Sequence, residues 1–126
     1  MARFIFLIFF VFATAATSSL HAQTIANTSW KTYIEQLNDT LTLHFRQDSS
    51  FVTTGSGTVV VRSHWKVSAD TVTLDDYDGE YACINMLGKY KLEITGDMLH
   101  FALIEDACEG RAGSLSNARW KKSPEK

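Results

Sequence analysis

The chain has 126 residues, 12 basic and 14 acidic side chains, and a formal net charge of −2. So mild an acidic balance argues against nucleic acid or an anionic membrane surface as partner, since both select for excess Lys and Arg. The length suits one domain and is too short for several units.

Arg3 gives the start a basic residue. An uninterrupted apolar run follows over 4–12, then a small and polar stretch over 17–22. Charge, apolar core and small-residue exit are the order of a secretory signal peptide. A membrane span needs about 20 apolar residues, more than this run supplies. Cleavage is expected after Ala22, with Ala16 as the alternative, and no cysteine lies at either position to carry a lipid anchor. The chain thus divides into a signal peptide over 1–22 and one domain over 23–126. The mature chain of 104 residues keeps 11 basic and 14 acidic groups, and can bury about two thirds of its unfolded surface. The expected location is secreted or periplasmic, with no membrane attachment after cleavage.

Strands are expected in order over 30–37, 40–47, 51–54, 58–67, 71–75, 80–84, 89–94, 98–104 and 119–122. Three of them follow the same corner. Asn38-Asp39-Thr40-Leu41, Ala69-Asp70-Thr71-Val72 and Gly96-Asp97-Met98-Leu99 each place turn-forming residues before an alternating apolar pattern. Three such corners read as an antiparallel meander of hairpins. Pro124 lies beyond the last strand and breaks no ladder. No segment has sustained helical periodicity, although 112–117 has room for one helical turn.

The fold class is therefore all-β, a small antiparallel up-and-down barrel of about eight strands, with a flattened sandwich as rival. Its inward face collects Trp30, Ile34, Leu41, Leu43, Phe45, Val59, Val61, Trp65, Val67, Val72, Leu74, Tyr90, Leu92, Ile94, Leu99, Phe101 and Leu103.

In an oxidising compartment Cys83 and Cys108 most simply form one bridge. It closes a loop of 25 residues, worth about 3 kcal/mol in the chain-entropy model. Zinc is a poor alternative, since neither thiol has a second ligand at the right spacing. The bridge would draw an acidic turn, Asp75, Asp76, Asp78 and Glu80, toward Glu105, Asp106 and Glu109. Asp76, Asp78 and Asp106 are the candidates for a calcium ion, which takes six to eight oxygen ligands. The simpler expectation is a solvated rim with Arg111 paired to Asp106 or Glu109. His44, His64 and His100 face outward on strands that are not neighbours, so a shared transition metal is not expected, and no cofactor is implied.

The opening Trp30, the Asp-Thr-Leu-Thr-Leu corner at 39–43, and Asp106-Ala107-Cys108-Glu109-Gly110-Arg111 before a closing Trp120 resemble the small secreted lipocalin-like proteins of bacteria, within the calycin group. The resemblance covers nearly the whole mature chain. In lipocalins a Gly-x-Trp motif opens the first strand, and here the Gly position holds Thr28. The resemblance implies that Arg111 or Arg119 lies across Trp30 in a structural role. It also implies a calyx for a small apolar molecule, with Thr32, Ser63, Trp65, Tyr90 and Phe101 as ligand-facing residues.

No Gly-x-Ser-x-Gly elbow, His-Glu-x-x-His or phosphate loop occurs. A few calycins are isomerases or cyclases, so catalysis stays open. The expected function is non-catalytic binding of a small apolar ligand in the barrel. The alternative is a protein-interaction or inhibitor module with a filled core, for which grouped Tyr33, Tyr77 and Tyr81 would speak.

Overall fold

The computed structural model describes residues 25–124; the expected signal peptide over 1–22 lies outside them. Eight strands follow one another: β1 (Ser29–Ile34), β2 (Asp39–Phe45), β3 (Ser49–Thr53), β4 (Val59–Ser68), β5 (Thr71–Asp78), β6 (Leu87–Thr95), β7 (Met98–Asp106) and β8 (Arg119–Ser123). A 3₁₀ turn (Glu35–Leu37) joins β1 to β2, and one helix, α1 (Glu109–Ser116), joins β7 to β8. Each strand pairs antiparallel with the next. β8 then returns to β1, with Ser29 opposite Ser123 and Lys31 opposite Lys121, and closes the barrel. Closure decides against the sandwich and leaves the sheet no free edge.

The three corners turn as their composition requires. Asn38, Ala69 and Gly96 all have left-handed backbones, at φ 49°, 55° and 59°. The short turns after β4 and β6 place β5 and β7 in the register that buries Val72, Leu74, Leu99 and Phe101. A slip of one residue would turn those side chains to solvent.

The barrel's two ends differ. The turns β2–β3, β4–β5 and β6–β7 gather at one end, where Trp30, Phe45, Val72, Leu92 and Leu99 are all 4% exposed or less, with Ile25 packed among them. Buried polar atoms there have partners. Trp30 Nε1 donates to Thr28 Oγ at 2.8 Å, and Trp65 Nε1 donates to the carbonyls of Arg46 and Ser49. The other end carries the 3₁₀ turn, the 54–58 and 79–86 loops, and α1.

Several local expectations are corrected. The segment 80–84 is not a strand: only Ile84 makes an isolated bridge, to Asp76. Gly79 enters it at φ 121°, and a Cβ there would meet the Val60 carbonyl oxygen at 2.2 Å, so the chain turns away from the ladder. The helical segment is eight residues from Glu109, longer than one turn. Gly110 and Gly113 hide it from propensity. It is held by Cys108 sulfur accepting from the Arg111 N–H and by burial of Ala112 and Leu115.

The inner face also shifts at three register breaks. Val60 has no partner between Val52–Val61 and Thr53–Val59, and it is buried where Val59 and Val61 are half-buried. Ile104 is skipped between Tyr90–Leu103 and Lys89–Glu105, and Leu103 is 49% exposed. Tyr77 is skipped opposite Arg62 and Ser63. Such bulges bend a strand and re-aim its side chains at a barrel rim.

Candidate functional site

Inside the second end is a cavity of about 850 Å³. Its walls come from the ends of β1 and β3, the starts of β2 and β4, the inner side of β5, and one face of α1. Ile34, Leu41, Leu43, Val52, Val60, Val61, Leu74 and Leu115 make it mainly apolar. Tyr33, Leu37 and Tyr81 also line it and are 56%, 42% and 48% exposed, so the cavity reaches the surface.

One wall is a charged cluster. Asp106 ends β7, and Arg111 lies in the first turns of α1, so the helix start folds the guanidinium back onto the carboxylate. Arg111 Nε and Nη2 donate to the two Asp106 oxygens at 2.7 and 2.8 Å, a bidentate pair. Nη2 also donates to the Met86 carbonyl at 2.6 Å. Nη1 lies 3.0 Å from Asp76 Oδ2, a charge contact outside hydrogen-bond alignment. Asp76 accepts from Ser63 Oγ and from the Cys83 N–H, while Asp106 accepts from the Cys108 N–H and the Tyr90 hydroxyl. The Cys83–Cys108 disulfide, with Cα atoms 6.2 Å apart, ties the 79–86 loop to the start of α1 beside this cluster. Gly88 makes room for it: a Cβ there would lie 2.6 Å from Asp106 Oδ2 and 3.1 Å from Arg111 Nε.

Burial alone would raise the Asp106 pKa, but hydrogen bonds from Arg111, Tyr90 and the Cys108 N–H outweigh it and hold the carboxyl below its usual value. Burial, reinforced by the bond to Asp106, pushes the Tyr90 hydroxyl above its ordinary range. Burial disfavours the Arg111 charge, yet Asp106 and Asp76 more than restore it. These three groups are held away from the near-neutral values that suit general acid–base catalysis. Their arrangement fastens β5, β6, β7, α1 and the 79–86 loop together.

Of the residues expected to face a ligand, Ser63 lines the cavity. Trp65, Tyr90 and Phe101 are packed in the core, and Thr32 is half-buried on β1; none of these four lines it. Asp76 and Asp106 do converge, and the cation between them is Arg111. Asp78 stands apart, 68% exposed and 3.8 Å from Arg62. Among the described residues no three His, Cys, Asp or Glu side chains form a metal-holding group. The resemblance implies a cation across Trp30, but Arg111 is committed elsewhere and Arg119 is exposed at the start of β8. His64 stacks on Tyr77, and His100 contacts Glu93 and the Ser116 carbonyl.

Sequence reasoning missed Trp120 as a lining residue, and with it the contribution of α1. The Asp-x-Cys-x-x-Arg spacing at 106–111 is the signal that could have placed α1, since it sets a carboxylate, a cap and a guanidinium at one helix start. Comparison of the chain with family models, with curated proteins and with solved structures finds no match. Among the described residues no helix is long and apolar enough to cross a membrane, and the disulfide fits an oxidising compartment.

Proposed function

We propose that this protein is an exported, lipocalin-like carrier that holds a small, largely apolar molecule, without catalysis, in the hollow end of its barrel. The cavity is the observation that carries this reading. Its volume of about 850 Å³ falls in the range of ligand sites, about 300–1,000 Å³, and its walls are mostly aliphatic. The closed up-and-down meander opened by Trp30 supports the lipocalin-like resemblance. The apolar run over 4–12 and the disulfide support export.

A protein-interaction module is the second reading. The cavity counts against the filled core it was given, but Ile84, Met86 and Leu87, at 49%, 43% and 55% exposed, offer an apolar surface on the 79–86 loop and the first residue of β6, beside the cavity. The test is titration with the neutral fluorophore N-phenyl-1-naphthylamine, together with native mass spectrometry of protein purified gently from its own host. One saturable site, lost in Val61→Trp while the fold persists, is the carrier's result. No saturable binding and a bare mass would transfer the weight to the second reading.

A further inference from the structure

The charged residues that line the cavity are mostly of one sign. Glu35, Asp76 and Glu109 stand against one guanidinium, that of Arg111, and no lysine or histidine is among the described lining residues. Arg111 is already balanced within the wall. Asp106 receives it bidentately, and Asp76 Oδ2 lies 3.0 Å from Nη1. The side chains of Arg111, Asp106 and Asp76 are 8%, 0% and 2% exposed. Two carboxylates thus share one cation where water scarcely reaches, a formal charge of −1. Glu35 and Glu109 are exposed, the first in the 3₁₀ turn and the second at the start of α1. Both line the cavity beside the exposed Tyr33, Leu37 and Tyr81, so they belong to its mouth. Among the described residues neither has a salt-bridge partner.

Charges of one sign around an apolar space act on a ligand beyond contact distance. Low-dielectric walls focus the field at the opening, which draws in an opposite charge and repels a like one. The cavity makes the site here, and the carboxylates decide which charge it accepts. A carboxylate entering would find the one lining guanidinium committed and would meet like charge in a poorly solvated space. An ammonium held at the exposed mouth keeps part of its water, so it gains the attraction without the full cost of burial. We propose that the cavity takes an apolar molecule carrying a protonated amine, with its body among the aliphatic walls and its charge at the mouth near Glu35 and Glu109. The proposal rests on the carrier reading and adds the charge class of the ligand to it.

The test uses the oxidised full domain and three probes of equal carbon count and one phenyl ring each: phenylbutylamine, phenylbutanol and phenylbutanoate. At neutral pH they are cationic, uncharged and anionic. Each is read by displacement of N-phenyl-1-naphthylamine, so that binding elsewhere on an acidic surface does not count. The amine is expected to bind about tenfold tighter than the acid at low salt, with the alcohol between them. The gap should narrow as salt screens the open mouth. Glu35→Gln combined with Glu109→Gln should shrink the gap about threefold and leave the alcohol's affinity unchanged. Both side chains are exposed, so the fold does not rest on them. Acid bound as tightly as amine, or alcohol bound tighter than both, would overturn the inference and leave the carrier reading standing. So would a bound fluorophore that none of the three displaces. An amine preference untouched by the double variant would strike out the role given to Glu35 and Glu109. Failure of the fluorophore and of all three probes to bind would overturn the carrier reading and the inference together.

Discussion

The two ends of this barrel are built from the same strands and behave as different materials. At the packed end short corners bring aromatic and aliphatic side chains into contact. Phe45 meets Trp65 edge-on at 5.5 Å, and the indole donors of Trp30 and Trp65 are satisfied. At the hollow end all three register breaks occur, the loops lengthen, and cohesion passes from packing to a disulfide and a buried ion cluster. The difference teaches how a domain of this size keeps a cavity. One half supplies the buried area, and covalent and charge-paired ties hold open the half that cannot.

The largest effect that would break this contrast is a pair of truncations. Phe45→Ala at the packed end is expected to cost about 4 kcal/mol, because the removed ring leaves a void its rigid neighbours cannot fill. Val61→Ala, on the cavity wall, should cost less than about 1 kcal/mol, since it only enlarges existing space. Urea midpoints for the two variants measure the difference, and equal losses would mean that the two ends are not mechanically distinct.

Next is Arg111→Ala, which leaves Asp76 and Asp106 buried without their cation. Breaking a buried pair this way costs about 3 kcal/mol or more, and the same denaturation experiment reads it. Removing the disulfide by Cys83→Ser with Cys108→Ser should cost about 3 kcal/mol in the chain-entropy model. Its particular signature is faster hydrogen exchange in the 79–86 loop and α1, with the amides of β2 near Phe45 little changed.

Acid should strike the hollow end first. The Asp106 carboxyl is held below its ordinary value of 3.8 in the folded protein. Between the two values the unfolded chain binds the extra proton. The stabilisation is therefore complete above 3.8 and is lost as pH falls through the lower folded value. Stability measured against pH should show this acid limb, and Asp106→Asn should flatten it while lowering stability at neutral pH. The smallest expected change is a gain. Ala69 holds a left-handed φ of 55°, so Ala69→Gly should raise stability by about 0.5–1 kcal/mol, visible as a higher melting temperature.

Much of the packed end was legible because its signals are local. The Asn38, Ala69 and Gly96 corners each precede an alternating strand, and alternation alone assigns Phe45, Val72, Leu99 and Phe101 to the inside. The hollow end was less legible. A bulge is one skipped partner across two strands, and neither strand records it alone, so Val60 was passed over and Leu103 counted inside. The helix at Glu109–Ser116 was hidden by its two glycines, because its stability comes from contacts made after the chain has folded.

By itself, the sequence determined the all-β class, the order of the hairpins and the pairing of Cys83 with Cys108, and it narrowed the partner of Arg111 to Asp106 or Glu109, since each follows from residue chemistry at short range or from a count of two cysteines. Only the tertiary structure decided closure into a barrel, the cavity at one end, and the three register breaks beside it. Those depend on where strands far apart in the chain come to rest against one another.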